Sequence, residues 1–157
     1  MRKNSKIIDC KQSDNTYLHR DFHGALCYAI KYLDETYGQQ ATYDYLVQVG
    51  NTYFKPLSEK LKTDGLEALE NHWRNVFQKE KGQFTLYYKD GQLILEVTEC
   101  PAIMHLKQTN QLYTDRYCQT TVVVNKTVCN QAGYQCCCEY IPGHGRCTQR
   151  FWKGTDT

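Results

Sequence analysis

Apolar positions in the first half of the chain recur every three or four residues, which is typical of amphipathic helices. The first such stretch begins near Asp21 and ends at Gly38, and its apolar positions share one helix face: Phe22, Leu26, Ile30, Leu33 and Tyr37. Further helices are predicted over residues 40–49, 56–62 and 66–77. The pattern thus predicts that helices fill the chain until the periodicity changes.

From about residue 83 the pattern alternates with period two, as in β-strands. Strands over residues 83–88 and 92–97 flank Asp90–Gly91, a dipeptide typical of a tight hairpin turn. A short helix or turn is predicted after Pro101, and a longer helix from about Arg116 to Gln131. The middle of the chain is therefore a hairpin followed by helical segments.

A second hairpin is predicted at the C-terminal end of the chain. Its strands span residues 134–141 and 146–152, and the loop between them reads Pro-Gly-His-Gly, a sequence that favours a turn. The order of elements predicts an α+β fold, with N-terminal helices followed by two β-hairpins that a helix separates. The hairpins are expected to form one antiparallel sheet with helices packed on it.

The length and composition favour a single domain over residues 1–157. The net charge is +2 with acidic and basic side chains interspersed, so no basic stripe indicates nucleic-acid binding. Residues 1–15 are interpreted as an N-terminal arm without the apolar stretch of a secretory signal, and no apolar run suits a membrane span. We therefore expect a cytoplasmic protein that binds neither nucleic acid nor membrane, and a homodimer is left open.

Cysteine is the most informative residue type in this chain. Seven of the nine cysteines lie between Glu99 and Cys147. The odd count does not suit a complete disulfide framework, and the cytoplasm keeps thiols reduced, so free thiols are expected. Because a thiolate is both a nucleophile and a metal ligand, this region predicts either a cysteine-based active site or a metal site.

Cys118 is the first candidate, at the start of the helix predicted from Arg116. With Asp115 as the N-cap, Cys118 would be the third helical residue, where unpaired backbone N–H groups make a thiol more acidic. Its side of the helix carries Cys118, Thr121, Val122, Asn125 and Cys129. In the alternative interpretation this side is solvated, and the core side carries Val123, Val124 and Val128.

Cys100 is the second candidate. It precedes Pro101, and proline is typical of the first helical turn, so Cys100 is predicted to be an N-cap that directly follows a strand. His105 lies five residues further on, and His23 lies in the first turn of the first helix. Each histidine is either a base for proton transfer or an ordinary core or surface residue.

The C-terminal cysteines suggest zinc. Cys136 and Cys138 share one side of the predicted strand, and a tight hairpin would bring Cys147 opposite Cys138. The predicted zinc ligands are Cys118, Cys138 and Cys147, completed by Glu139, His144 or water. No Cys-x-x-Cys motif is present, and small residues in a crowded strand are the alternative interpretation.

Several short motifs also stand out together. They are Glu-Cys-Pro-Ala at 99–102, His-Leu at 105–106, Arg-Tyr-Cys-Gln-Thr-Thr at 116–121 with Asn125, Gly-Arg-Cys at 145–147 and Phe-Trp at 151–152. Asp-Phe-His-Gly at 21–24 and Tyr-Phe-Lys-Pro-Leu at 53–57 accompany them. In these motifs the chain resembles the L-2-amino-thiazoline-4-carboxylic acid hydrolase family.

The resemblance implies hydrolytic opening of a small cyclic amidine or isothiourea at a non-peptide C–N bond. In this hypothesis the Cys118 thiolate attacks the amidine carbon, with Cys100 as the alternative nucleophile, and His105 or His23 moves the protons. The predicted substrate-binding residues are Arg116, Tyr117, Thr121 and Asn125.

Two positions depart from the family pattern. Thr121 stands where an acidic residue is common, and Thr-Gln-Arg separates Cys147 from Phe151 where the ending commonly reads Cys-Asp-Phe. The C-terminal half is also similar, more distantly, to 4-vinyl reductase-type ligand-sensing domains, which bind zinc through cysteines. That likeness implies the alternative function, a non-catalytic module for zinc or a small ligand. The cofactor is thus none or zinc, and a redox-active thiol protein is a third hypothesis.

Overall fold

The structure is a computed structural model that describes residues 16–154, with side chains from Arg20 onward. The predicted N-terminal arm, residues 1–15, lies outside the described residues. The helices are α1 (Thr16–Tyr37), α2 (Gln39–Thr52), α3 (Lys55–Asp64), α4 (Leu66–Glu80), α5 (Pro101–Gln108) and α6 (Gln119–Ala132). The strands are β1 (Gln83–Lys89), β2 (Gln92–Glu99), β3 (Tyr134–Tyr140) and β4 (Cys147–Lys153).

The four strands form one antiparallel sheet in the order β1-β2-β4-β3. Each hairpin pairs with itself, and β2 joins β4 in the middle, with Val97 opposite Cys147 and Leu93 opposite Phe151. This arrangement confirms the predicted α+β fold of N-terminal helices and two hairpins separated by helical chain. It also makes β4 a central strand and leaves β3 at an edge.

Local sequence explains where the elements begin and end. Gly38 and Gly65 adopt φ angles of +85° and +67° between successive helices, a region that glycine enters without a Cβ penalty. Asp90 and Gly91 both have positive φ, as the tight turn between β1 and β2 requires. Pro101 opens α5 directly after β2, so the predicted N-cap position of Cys100 is confirmed.

The helix predicted from Arg116 begins three residues later, at Gln119. Residues 115–118 form a turn instead, in which Tyr117 N–H donates to Thr114 O at 2.9 Å and Thr120 N–H donates to Tyr117 O at 3.1 Å. Cys118 therefore lies at the N-cap position, and the prediction that Asp115 is the cap is wrong.

The face of α1 that is buried in the structure differs from the apolar face that the sequence predicts. Phe22 is 56% exposed and Tyr37 is 65% exposed, whereas Cys27 and Ile30 are completely buried. Residues at positions 23, 24, 27 and 30 turn inward because α1 packs against α2 and α5 together. Spacing identified the helix, but the partners decided which side became covered.

The core has two parts. The larger lies between α3, α4 and α6 and one side of the sheet, and it contains Leu61, Leu69, Phe77, Leu93, Leu95, Val97, Val124, Val128, Cys129 and Phe151. The smaller lies between α1, α5 and the turn before α6, and it contains Cys27, Ile30, Ala102, Ile103, Leu106 and Tyr117. Cys100 contacts both parts, at the end of the sheet where β2 stops and β4 starts.

Among the described residues, no helix has both the length and the apolar character that crossing a membrane requires.

Candidate functional site

A cavity of about 150 Å³ lies at this end of the sheet. Its walls come from α1, α4, the start of α5, the start of α6, the end of β3 and the start of β4. Ligand sites in proteins are typically larger, about 300–1,000 Å³, so this cavity suits a small molecule. Four cysteines line it: Cys100, Cys118, Cys138 and Cys147.

Cys138 and Cys147 are in direct contact in this cavity. Strand pairing places Cys138 opposite Gln149 and Cys147 opposite Tyr140, so the two cysteines are diagonal neighbours rather than opposite one another as predicted. All four residues share the side of the sheet that faces the helices. The thiols still reach each other, and a hydrogen bond from Cys138 lowers the pKa of Cys147 to about 7 despite its burial.

A second donor supports the Cys147 sulfur. Gln149 Nε2 lies 3.4 Å from Cys147 Sγ and also lowers the pKa of Cys147. Gln149 is only 2% exposed, and its Oε1 accepts a hydrogen bond of 2.8 Å from Asn125 Nδ2. Asn125 is itself buried and contacts the site only through Gln149, and its predicted role in binding substrate stays a prediction. It fixes the amide of Gln149 so that the N–H points at sulfur.

Cys118 and Cys100 are poor thiolates in this structure. Burial, together with the sulfurs of Cys100, Cys147 and Cys27, raises the pKa of Cys118 to about 12. Burial also raises the pKa of Cys100, although the backbone N–H groups of Ile103 and Ala102 act in the opposite direction. The prediction of an acidic thiol at a helix N-terminus is therefore wrong for Cys118, because desolvation outweighs the helix end.

A hydrogen-bonded series of side chains forms another wall of the cavity. His23 Nε2 lies 3.1 Å from Glu80 Oε2, and His23 Nδ1 lies 2.8 Å from the Tyr117 hydroxyl. All three residues line the cavity, and Glu80 and Tyr117 are 8% and 6% exposed. This geometry holds the imidazole of His23 between a carboxylate and a phenol, so its ring is oriented and its proton has a defined partner.

Two other predicted residues lie elsewhere. His105 does not line the cavity: it is 8% exposed and turns towards α1, with Nε2 3.7 Å from Asp21 Oδ1. Arg116 donates to Asp34 Oδ2 at 3.1 Å and lines a separate pocket beside α2. Neither side chain lines this cavity, and the predicted roles of His105 as a base and of Arg116 as a substrate ligand stay predictions.

Three other predicted residues belong to the cavity wall. His23, Tyr117 and Thr121 all line the cavity beside the cysteines. Tyr117 presents its hydroxyl to His23 rather than directly to open space. Thr121 lies one turn into α6 and is half-buried.

The structure adds three residues that the sequence analysis did not assign: Glu80, Gln149 and Arg146. The sequence could have indicated Gln149, because it lies two positions after Cys147 in a predicted strand and must therefore share the side of the strand with Cys147. Arg146 had a weaker signal, as the middle residue of the Gly-Arg-Cys motif. Glu80 had none, because only the packing of α4 against α1 brings it to His23.

Arg146 is the cationic residue at the mouth of the cavity. It is exposed and lies in the loop between β3 and β4. The loop is held by a hydrogen bond of 2.8 Å from Cys100 N–H to Gly145 O, and Gly145 adopts a φ of +69°. A Cβ at Gly145 would lie 3.6 Å from Ile103, so this position is close to α5 and conformationally specific. The loop therefore presents Arg146 from a fixed base.

The predicted zinc ligands meet at the cavity without forming a metal site. Cys118, Cys138 and Cys147 all line it. Yet within residues 16–154 no group of three or more His, Cys, Asp or Glu side chains is arranged to hold a metal ion. Cys138 and Cys147 instead share a thiol–thiol hydrogen bond.

The chain matches no protein-family model, no curated protein and no solved structure. The chemistry of the cavity must therefore be argued from its own residues.

Proposed function

We propose that this cavity is the active site of a hydrolase that opens a non-peptide C–N bond in a small cyclic amidine or isothiourea, such as L-2-amino-thiazoline-4-carboxylate. One observation carries the proposal. A cysteine with two hydrogen-bond donors on its sulfur, Cys147, shares a small cavity with a histidine that a buried carboxylate orients. A stabilised thiolate and a positioned base are the two groups that nucleophilic hydrolysis needs.

The nucleophile in this proposal is Cys147 rather than Cys118. A thiol must be ionised to attack, and at neutral pH a group with a pKa of about 7 is largely available whereas one with a pKa of about 12 is not. Cys147 also begins a central strand between β2 and β3, so its position is held from both sides. Cys118 and Cys100 then serve as small residues of the cavity wall.

The reaction proceeds in two stages. The Cys147 sulfur bonds to the amidine carbon, and the bond from that carbon to the leaving nitrogen breaks as protonated His23 transfers its proton to the nitrogen. A water molecule then gives a proton to His23 and bonds to the same carbon, and the carbon–sulfur bond breaks to restore the thiolate. One water is consumed in each cycle, and the contact with Glu80 keeps the His23 ring oriented in both stages.

Arg146 supports the assignment of an anionic substrate. Arg146 lines the cavity and is exposed, and a guanidinium matches a carboxylate in shape and charge. The volume of about 150 Å³ limits the substrate to a small molecule. A carboxylate on a five-membered ring would place its charge at the mouth and its amidine carbon inward, near Cys147.

The thiolate mechanism requires the reduced protein, which the cytoplasm maintains. We therefore propose a cytoplasmic location together with the activity.

The deciding experiment follows L-2-amino-thiazoline-4-carboxylate by mass spectrometry with the reduced parent protein and two matched variants, Cys147→Ser and Cys136→Ser. Both cysteines lie in the same hairpin and contact a second thiol, but only Cys147 lines the cavity. We expect ring opening by the parent and by Cys136→Ser, and a loss of about 10²-fold or more in Cys147→Ser because serine is a far weaker nucleophile.

Undiminished turnover by Cys147→Ser would contradict the nucleophile assignment. A Cys118→Ser variant in the same assay then reports whether the originally predicted cysteine acts instead. Saturable binding of the compound by calorimetry without turnover in any form would contradict hydrolysis and support the ligand-binding module.

A further inference from the structure

The contact between Cys138 and Cys147 has a chemistry of its own that hydrolysis does not use. Their sulfurs are close enough for a thiol–thiol hydrogen bond, and both line the cavity. They belong to neighbouring antiparallel strands and point to the same side of the sheet. A thiol in contact with another thiol, at a place that small molecules can enter, is the arrangement from which reversible disulfides form.

We propose that Cys138 and Cys147 are a redox modification site, at which a hydroperoxide converts the pair to an internal disulfide. Cys147 is oxidised first, and Cys138 is the resolving thiol. The cavity admits hydrogen peroxide, which is far smaller than the volume of about 150 Å³ available. The chemistry does not depend on the proposed hydrolysis, although the disulfide would block Cys147 from acting as a nucleophile.

Each step balances with the peroxide as the oxidant. The Cys147 thiolate attacks one peroxide oxygen, the O–O bond breaks, and the products are a Cys147 sulfenic acid and hydroxide. The Cys138 sulfur then bonds to the Cys147 sulfur, its proton and the sulfenic hydroxyl leave as water, and two electrons have passed from the thiols to the peroxide. A dithiol reductant then converts the disulfide back to the two cysteine thiols by exchange, and its own two thiols are oxidised to a disulfide.

The fold provides the movement that closure requires. Diagonal neighbours on antiparallel strands have Cα atoms about 7–8 Å apart, slightly beyond the roughly 4.4–6.8 Å of an ordinary disulfide. β3 is an edge strand, so only its pairing with β4 resists a small displacement. A bond formed against such a displacement is expected to be readily reduced.

Cys138 is the resolving residue because of where it lies. Cys118 and Cys100 line the same cavity, but the hydrogen bond to Cys147 comes from Cys138. Cys129 and Cys136 form a second contacting pair at the α6–β3 interface, and they do not line the cavity. That pair is an internal control, because it also consists of two thiols in contact but does not line the cavity through which peroxide would enter.

The test is a titration of the reduced full-length protein with hydrogen peroxide, followed by blocking of free thiols under denaturing conditions and tryptic mapping. Cleavage after Arg116, Lys126, Arg146 and Arg150 isolates Cys147 in the peptide 147–150, Cys118 in the peptide 117–126, and Cys138 with Cys129, Cys136 and Cys137 in the peptide 127–146. We expect a cross-linked product of these two peptides, with fragmentation locating the bond at Cys138. Treatment with dithiothreitol should restore both peptides.

Two variants make the result decisive. Cys136→Ser should form the same cross-link at the parent's rate. Cys138→Ser should lose it and accumulate Cys147 as sulfinic acid, because the sulfenic acid has lost the thiol that is hydrogen-bonded to it. A cross-link through Cys118 or Cys129 in place of Cys138, equal cross-linking in Cys138→Ser, or no loss of thiols at peroxide levels that oxidise free cysteine would overturn the proposal.

Discussion

Two thiol pairs in this protein share the same local chemistry and differ in their surroundings. In each pair one cysteine donates a hydrogen bond to the other and lowers its pKa: Cys138 acts on Cys147, and Cys129 acts on Cys136. Cys147 lines a cavity and has a further donor from Gln149. Cys129 is completely buried in the larger core. Contact between two thiols is thus common to both pairs, whereas access to a cavity and a polar side-chain donor distinguish Cys147 from Cys129.

The largest expected difference between the pairs is their rate of alkylation. We expect iodoacetamide to modify Cys147 at least about 100-fold faster than Cys129 at neutral pH, because Cys129 reacts only after local opening of the core. The rates follow from a mass-spectrometric time course in which peptide 147–150 reports Cys147 alone. Equal rates would remove the distinction between the cavity and the core.

The second expected effect concerns His23, which lines the cavity together with Cys138 and Cys147. Glu80→Gln should lower turnover of L-2-amino-thiazoline-4-carboxylate by about 10–100-fold, because the imidazole of His23 loses the carboxylate that orients it for proton transfer. The alkylation rate of Cys147 is the control and should stay unchanged. If alkylation slows in parallel, Glu80 acts on the fold rather than on His23.

The third expected effect is on stability, and here the core cysteine, Cys129, should matter more than Cys147. Cys129→Ser should lower the free energy of unfolding by about 1–3 kcal/mol, because a hydroxyl replaces a sulfur in an apolar core. Cys147→Ser, beside a cavity with polar groups, should change it by no more than about 0.5 kcal/mol. Urea denaturation of both variants measures the difference. A larger loss for Cys147→Ser would show that the cavity pair holds the fold.

The smallest expected effect separates the two donors on Cys147. The thiolate is the reactive form, so the alkylation rate of Cys147 should rise with pH and reach half its maximum near pH 7. Gln149→Met removes a donor to the thiolate, so the pKa rises and the half-point should move up by about one pH unit. The rate profile of Cys136 is the control. An unmoved half-point would assign the whole stabilisation to Cys138.

Much of the fold followed from the sequence because periodicity and turn residues act locally. Gly38, the Asp90–Gly91 turn and Pro101 each mark a boundary that the structure keeps. Which side of α1 is covered did not follow, since Phe22 is exposed while Cys27 is buried. A repeat of three or four residues specifies a helix, but its orientation about the axis depends on α2 and α5, which lie elsewhere in the chain.

The candidate site was predictable in part for the same reason. The sequence singled out the four cysteines and His23, and these do line one cavity. It assigned the acidic thiol to Cys118, because a helix N-terminus is visible in sequence whereas burial is not. The donors to Cys147 come from a strand diagonal and from a residue two positions along β4, and both depend on the register of one hairpin.

The sequence by itself determined the kinds and order of the elements and the concentration of thiols after Glu99, because backbone preferences and composition belong to short segments. Only the tertiary structure decided which cysteines share a cavity, which histidine lines it with them and which predicted residues lie outside it. His23 and Glu80 are 57 positions apart, and His23 and Tyr117 are 94 positions apart. Contacts over such separations arise from packing several elements at once, and the desolvation that sets each pKa is a property of that packing.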